Sequence, residues 1–161
     1  MQPGENSSIL NRDFVEILSA FNAERVEYLL IGGYALAAHG LPRATGDIDL
    51  WVNPAPQNAA KVWRALGRFG APLDRLSVGD FSNTETFVQF GVAPSRIDIL
   101  TSIPGLAFAE AYAARITPIL DGLPVSTLSR DDLVASKRAA GRPQDLADVA
   151  RIEAQARGGP S

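Results

Sequence analysis

The stretch that decides the fold is Asp47–Val52, which reads DIDLWV and begins with acidic and apolar residues in alternation. Successive side chains of a β-strand point to opposite faces, so this alternation predicts a strand whose aliphatic residues enter the core. The same period places Asp47 and Asp49 next to each other on the opposite face. Aspartate is depleted in strands, and two of them in one short strand therefore indicate a specific purpose.

Apolar periodicity on either side of this strand predicts further strands and helices. Short apolar runs predict strands over 28–31, 84–90 and 96–100, and a hairpin of 116–120 with 124–128 around Asp121-Gly122. Helical spacing predicts helices over 13–24, 34–39, 57–69 and 106–115, and two more that begin at Ser129 and at Arg142-Pro143. In the last helix, Leu146, Val149 and Ile152 form the predicted apolar stripe. Strands interleaved with helices indicate an α/β (α+β) fold, a mixed sheet covered by helices with a helical C-terminal region.

The length of 161 residues is typical of a single domain with a sizeable core. We expect loose ends at residues 1–11 and 157–161 and one domain over residues 12–156. With 46% hydrophobic and 20% charged residues, the composition excludes wholesale disorder.

Charge and cysteine content exclude several classes of protein. Fifteen Lys and Arg against eighteen Asp and Glu give a net charge of −3, which is not typical of a dedicated nucleic-acid-binding protein. The absence of cysteine excludes a zinc finger and a thiol nucleophile, and the single histidine excludes a multi-histidine metal site. No apolar run approaches the ~18 residues of a membrane span, and no signal peptide is visible. These features predict a cytoplasmic protein without a membrane partner.

The two aspartates of the central strand predict a metal site. Like charges so close repel and raise each other's pKa unless a cation lies between them. Mg²⁺ is a hard ion that takes oxygen ligands, so it is a suitable counter-ion for Asp47 and Asp49. The alternative is a solvated strand face on which aspartate is merely tolerated.

A third acid lies in the predicted strand over 96–100, where Asp98 stands between Ile97 and Ile99. If this strand pairs beside the first one, Asp98 joins Asp47 and Asp49 on one face. Three carboxylates on two neighbouring strands can hold two Mg²⁺ ions, one that activates a hydroxyl and one that holds a triphosphate. Taken alone, Asp98 also fits a surface position near a turn.

A pair of glycines, Gly32-Gly33, separates the strand over 28–31 from the following helix. Glycine permits backbone angles that other residues avoid and lets a ligand approach the main chain. A helix that begins there also directs free N–H groups at an anion such as a phosphate. An ordinary turn between a strand and a helix would use the same residues.

Together these motifs resemble the nucleotidyltransferase superfamily with a polymerase-β-like fold. That family carries a Gly-Gly or Gly-Ser pair, then Asp-x-Asp or Asp-x-Glu on a strand, then a third acid on a later strand. Gly32-Gly33, Asp47-x-Asp49 and Asp98 match it in order and spacing. The wider string over 32–50, with Lys137 and the late RPQDLAD over 142–148, resembles a small stand-alone bacterial branch that includes abortive-infection nucleotidyltransferase toxins.

The resemblance implies a site that takes a nucleoside triphosphate (NTP) and Mg²⁺, with two ions and with Mn²⁺ as an alternative. Asp47 and Asp49 would hold the metal ion that carries the triphosphate. Asp98 would complete the second metal site and favour deprotonation of the acceptor hydroxyl. Gly32-Gly33 would cradle phosphates and Lys137 would bind the triphosphate, the alternative for Lys137 being a solvated position on a helix flank.

Three residues around the acidic strand have two readings each. Arg43 and Thr45 precede the strand in a loop, where they either contact a phosphate or cap the incoming strand. His39 stands near the end of a predicted helix. The two readings of His39 are a catalyst and a capping or packing residue, and we interpret it as the latter.

Two acids of the last helix, Asp145 and Asp148, fall in its first turns. Acids at this position are favoured by the helix dipole. Asp148 also fits an ion pair with Lys137 or Arg142. We therefore interpret both acids as structural.

The residues and the resemblance predict a Mg²⁺-dependent nucleotidyltransferase that moves a nucleoside monophosphate (NMP) from an NTP to a hydroxyl acceptor and releases pyrophosphate. The toxin-like relatives suggest a tRNA 3′ end or another macromolecule, RNA or protein, as the acceptor. One alternative is a transferase that modifies a small molecule such as an antibiotic. Another is a non-catalytic regulatory module of the same fold that pairs with a partner protein, as in a toxin–antitoxin system.

Overall fold

The computed structural model describes residues 9–41 and 45–158, which fold around a four-stranded sheet. In chain order the strands are β1 Tyr28–Ile31, β2 Asp47–Val52, β3 Phe87–Phe90 and β4 Arg96–Leu100. Their order in the sheet is β1-β2-β4-β3. Strand β2 runs antiparallel to β1 and parallel to β4, and β3 runs antiparallel to β4. The sheet is therefore mixed, and the predicted fold class is confirmed.

The helices follow the predicted periodicity with small shifts at their ends. They are α1 Arg12–Ala23, α2 Gly32–Ala38, α3 Pro56–Phe69, α4 Phe108–Ala113, α5 Arg130–Ala140 and α6 Pro143–Gly158. A 3-10 turn over Val78–Ser82, which was not predicted, lies between α3 and β3. Strand β3 begins three residues later than predicted, because the Asn83 side chain accepts a hydrogen bond from the Glu85 amide and holds that segment in a turn.

The predicted hairpin forms around Asp121-Gly122 and also anchors the first described residues. Its strands are the short β5 Ile119–Leu120 and β6 Leu123–Pro124. The Asp121 carboxylate accepts hydrogen bonds from the amides of Ile9 (3.2 Å) and Leu10 (2.7 Å). Ile9 and Leu10, which fall in a predicted loose end, are thus held against the hairpin, and Asn11 caps α1.

Strand β2 has one fully buried face and one face that is covered only in part. The three aliphatic side chains of β2 are buried, as the alternation predicts. On the other face Trp51 is buried and packs edge-on against Phe108 of α4, with ring centroids 5.1 Å apart. Asp47 and Asp49 remain partly exposed. The open half of this face is therefore the acidic half.

The segment after the hairpin covers the outer edge of β1 and leads into α5. Leu30 donates its amide to the Ser126 carbonyl (2.8 Å), and Leu128 donates its amide to the Leu30 carbonyl (3.1 Å). His39, at the end of α2, places Nε2 2.8 Å from the Leu128 carbonyl oxygen. His39 thus packs α2 onto this segment.

The buried face of helix α6 differs from the predicted one at Leu146. Val149 and Ile152 are buried as expected, but Leu146 is 51% exposed, so its place in the apolar stripe was wrong. The buried neighbours of Val149 are Asp145 and Asp148. Lys137 and Arg142, which precede the helix, form ion pairs with these two carboxylates on its inner face. Leu146 therefore points outward. Across residues 9–41 and 45–158, no helix has the length and apolar character that crossing a bilayer requires.

Candidate active site

The three predicted acids converge on one spot of the sheet. In the parallel pairing of β2 with β4, Asp49 is the register partner of Asp98, and Asp47 is the partner of Arg96. Register partners point to the same face, so all three carboxylates lie together. One oxygen from each of them lies within 4.8 Å of the other two. Asp98 is buried, at 3% exposure, whereas the other two acids are only partly buried.

Gly32 brings the backbone at the start of α2 directly against this cluster. Its φ of +73° lies in the left-handed region that favours glycine. A Cβ atom at this position would overlap Oδ2 of Asp49. A Cβ atom on Gly33 would lie 3.2 Å from Cβ of Thr45. Both predicted glycines therefore border the site at close range, and Gly32 has no room for a side chain.

Thr45 and Arg96 hold Asp47 in place. Thr45 Oγ1 donates to Oδ1 of Asp47 at 3.0 Å, and Arg96 Nη2 donates to its Oδ2 at 3.2 Å. Arg96 Nε also lies 3.4 Å from Oδ1 of Asp98. Sequence reasoning did not single out Arg96, although strand alternation places residues 96 and 98 on the same face. Arg43 lies outside the described residues.

The fold shifts the pKa values of the three acids in different directions. Burial, the contact with Asp98 and the nearby charge of Asp47 raise the pKa of Asp49 to about 8. Burial also raises the pKa of Asp98. For Asp47, burial is outweighed by hydrogen bonds with Asp98, Thr45 and Arg96, and the pKa falls below its ordinary value. Without a metal ion, the negative charges of the three carboxylates therefore repel one another.

The donor set fits a hard divalent cation. Its ligands are carboxylate oxygens from three residues, the type that Mg²⁺ and Mn²⁺ prefer. Oδ1 of Asp98 is buried and has no hydrogen-bond partner, which is rare for a native carboxylate. A bound cation would satisfy this oxygen and remove the repulsion among the three acids.

Lys137 on α5 and Arg142, just before α6, form a second charged group that faces the acids across a cleft. Lys137 Nζ lies 2.9 Å from Oδ2 of Asp148 and 3.8 Å from Oδ1 of Asp145. Arg142 pairs instead with Asp145, with Nε 2.6 Å from Oδ2 and Nη2 3.1 Å from Oδ1. The ion pair anticipated between Asp148 and Lys137 is present. Both acids are almost fully buried and hold the two cations at the cleft.

The cleft has two adjoining lobes that share Gly32, Asp49, Lys137, Arg142 and Asp145. The polar lobe, about 300 Å³, is completed by Gly33, Thr45, Asp47 and Gln144. The apolar lobe, about 350 Å³, reaches Asp98 and is lined mainly by aliphatic and aromatic side chains, among them Phe87, Leu100, Ile103 and Leu133. Six of the predicted site residues in the described part of the chain line the polar lobe, and Asp98 lines the apolar one.

Sequence reasoning did not assign Arg142, Gln144 or the apolar lining to the site. Arg142 and Gln144 belong to the late string over 142–148, which was the available signal for them. Phe87 and Ile103 carry no such signal, because their place in the cleft depends on packing between distant segments.

Comparison with known proteins assigns the chain to a family of nucleotidyltransferases. Residues 12–155 match the family described as "Nucleotidyltransferase of unknown function (DUF6036)". The match spans most of the chain, so the protein belongs to this nucleotidyltransferase family. No curated protein is significantly similar to the chain in sequence.

Solved structures share the fold at low sequence identity. TM1012 from Thermotoga maritima, described as a nucleotidyltransferase, is 19% identical, with a TM-score of 0.57 over 95% of this chain and 91% of its own. ANT(2")-Ia in complex with adenylyl-2"-tobramycin is 16% identical (TM-score 0.56; 88% and 85% covered). The lincosamide antibiotic adenylyltransferase LnuA, bound to lincomycin, is 13% identical (TM-score 0.55; 91% and 98% covered). At these identities the likeness establishes the nucleotidyltransferase fold.

Proposed function

We propose that the protein is a Mg²⁺-dependent nucleotidyltransferase that moves an NMP from an NTP to a hydroxyl acceptor and releases pyrophosphate. The observation that carries this proposal is the convergence of Asp47, Asp49 and Asp98 from two parallel strands, against a glycine with no room for a side chain. A structural role does not explain three mutually repelling carboxylates in one place. A divalent ion and an anionic substrate do.

In the proposed reaction, the acceptor oxygen forms a bond to the α-phosphorus while the bond from that phosphorus to the bridging oxygen of pyrophosphate breaks. Bound Mg²⁺ would neutralise the phosphate charge and lower the pKa of the acceptor hydroxyl. Asp47 and Asp49 would hold the ion that carries the triphosphate. Asp98, at the border with the apolar lobe, would help hold the second ion and draw the proton from the acceptor. The hydroxyl of Thr45 keeps Asp47 oriented for this purpose.

We assign the polar lobe to the triphosphate. Gly32 and Gly33 let a phosphate approach the backbone there, and Lys137 and Arg142 supply positive charge on the opposite wall. Thr45 donates its hydroxyl hydrogen to Asp47, so we assign it an indirect part in nucleotide binding. Arg43, just before Thr45 in the chain, remains an expected phosphate ligand.

The acceptor is proposed to enter from the apolar lobe, because that lobe borders Asp98. A macromolecular acceptor, such as a tRNA 3′ end or a protein hydroxyl, is our first candidate. A small-molecule acceptor is the second, since two proteins of the same fold are described with tobramycin and lincomycin. Both reactions use an NTP and Mg²⁺, and we propose the cytoplasm, which supplies both, as the location of the activity.

The experiment that tests this function is transfer of label from α-³²P-labelled NTPs in the presence of Mg²⁺. Total RNA, a protein extract, an aminoglycoside and a lincosamide are offered separately, and the labelled product identifies the acceptor. Asp47→Asn should abolish labelling, whereas Asp74→Asn, at an exposed position, should not. Absence of transfer to every acceptor class would contradict the proposal.

A non-catalytic module, for example one that pairs with a cognate antitoxin or toxin, is distinguished by ligand binding. Mg²⁺ with a non-hydrolysable NTP should raise the melting temperature, because a ligand that binds only the folded state stabilises it. At 100 times Kd the gain is about 2.7 kcal/mol, or roughly 5–10 °C for a chain of this size. EDTA should reverse the gain. An unchanged melting temperature would favour the non-catalytic module.

A further inference from the structure

Arg96 is the one cation in the described part of the chain that forms ion pairs with the acid cluster. Its Nη2 lies 3.2 Å from Oδ2 of Asp47, and its Nε lies 3.4 Å from Oδ1 of Asp98. No described lysine or arginine forms an ion pair with Asp49. The guanidinium therefore bridges two of the three carboxylates from one side and leaves the third uncompensated.

The contacts of Arg96 are weaker than those of Arg142 in the same cleft. Arg142 binds Asp145 through two nitrogens, with a shortest distance of 2.6 Å. Arg96 binds its two partners through one nitrogen each, at longer distances. Its Nε is buried without a hydrogen-bond partner, and so is the facing Oδ1 of Asp98. The pair of Arg96 and Asp98 is thus held by charge without the geometry of a hydrogen bond.

We propose that Arg96 is a resident counter-ion of the metal site, which holds Asp47 and Asp98 together in the metal-free protein and releases them when a divalent cation binds. Its side chain is 39% exposed, so it has solvent into which it can withdraw. This inference rests on the proposed function, because it requires that the three acids bind a metal ion. It assigns to Arg96 a positioning role that sets the metal concentration at which the site becomes occupied.

A counter-ion role and a purely structural role of Arg96 predict different effects of its removal on metal affinity. If Arg96 only stabilises the fold, its removal weakens the protein with and without metal and leaves metal affinity unchanged. If Arg96 competes with the ion, its removal destabilises the metal-free protein and strengthens metal binding. The positive charge of Arg96 also repels a divalent ion that comes within a few ångströms of it, which adds to the competition.

The test is direct titration of the protein with Mn²⁺, without nucleotide, following the free ion by electron paramagnetic resonance. Arg96→Gln should bind Mn²⁺ about tenfold more tightly than the wild type. The melting temperature of the metal-free variant should fall below that of the wild type. The rise in melting temperature on addition of Mn²⁺ should be larger in the variant than in the wild type. Arg64→Gln is the matched control. Arg64 also lies 3.2 Å from a carboxylate oxygen, that of Glu24, but it belongs to α3, which does not line the cleft.

A second variant, Arg96→Lys, keeps the positive charge but loses the second nitrogen that bridges Asp47 and Asp98. Its affinity for Mn²⁺ should rise less, by a few-fold. It carries the test if Arg96→Gln does not fold without metal. Equal or weaker Mn²⁺ binding by both variants, with a wild type that binds, would overturn the role of Arg96 alone. No Mn²⁺ binding by the wild type or by either variant would overturn this role together with the proposed function. Binding by the Arg96 variants only would support it.

Discussion

The first turn of α2 and the acid cluster meet at Gly32 and Asp49, where a Cβ atom on the glycine would overlap Oδ2 of the aspartate. Because Gly32 also has a φ of +73°, two independent constraints act at this position. The backbone can therefore lie against the site only if this residue is glycine. This contact joins the predicted glycine turn to the predicted acids, which are separate motifs in the sequence.

Gly32→Ala should impair both the fold and the site. The added methyl group must displace Asp49 or the backbone, and the left-handed φ adds strain, so we expect a loss of about 1–3 kcal/mol in the free energy of unfolding. The displaced carboxylate should also weaken Mn²⁺ binding. Denaturant unfolding and metal titration measure the two effects.

The matched control for this substitution is Gly67→Ala. Gly67 lies within α3, and among the described residues a Cβ atom there would meet nothing within 4 Å beyond its chain neighbours and the nearby helix backbone. Alanine at this position should therefore stabilise the helix by about 0.5–1 kcal/mol. If Gly32→Ala is also neutral or stabilising, the close approach of Gly32 to Asp49 is not a constraint.

The stability of the metal-free protein should fall as the pH rises from about 4 to about 8. Asp49 has an ordinary pKa of 3.8 in the unfolded chain and a pKa of about 8 in the folded one, so across this interval the folded state binds the extra proton. The folded state loses that advantage as the pH increases, at up to about 1.4 kcal/mol per pH unit. Asp49→Asn, which cannot ionise, should reduce this slope.

Denaturant unfolding across this pH range in EDTA measures the effect, and the informative quantity is the difference between wild type and Asp49→Asn. The variant should be the more stable of the two near pH 8. Saturating Mg²⁺ should reduce the dependence in the wild type, because the cation stabilises the ionised carboxylates. Parallel profiles for the two proteins in EDTA would mean that Asp49 ionises normally in the fold.

Lys137→Gln should affect nucleotide binding and stability together. The change removes a positive charge from the polar lobe and leaves the carboxylate of Asp148, which is almost fully buried, without its lysine partner. We expect the KM for NTP to rise at least tenfold. The free energy of unfolding should fall by about 3 kcal/mol, the effect of breaking a buried ion pair from one side.

The neighbouring Arg138→Gln provides the control for Lys137. Arg138 pairs with Glu153 between the same two helices, but at the exposed surface, so its loss should change stability by under about 1 kcal/mol and leave KM unchanged. Kinetics measured well below the melting temperature of each variant separate binding from unfolding. A stability loss in Lys137→Gln with an unchanged KM would make Lys137 a structural residue only.

Much of the local structure is predictable because it depends on neighbours in the chain. The alternation in β2 predicted both its bounds and its buried face. Apolar spacing, together with capping residues, located the six α-helices within residues 9–41 and 45–158. The prediction for α6 failed at one position because charged residues outside the helix were decisive. Leu146 was placed in the core on periodicity alone, but Asp145 and Asp148 occupy the inner face because Lys137 and Arg142 attract them.

The chain by itself predicted the groups to which we assign the proposed chemistry. The three acids and the glycine pair follow from residue type and strand period, which are local properties, and the late lysine follows from the family resemblance. Only the tertiary structure decided that β2 and β4 are parallel neighbours with Asp49 opposite Asp98, that Arg96 bridges two of the acids, and that α5 and α6 close a two-lobed cleft over them. Strand pairing and helix docking are set by burial of surfaces far apart in the sequence, and no local pattern encodes their outcome.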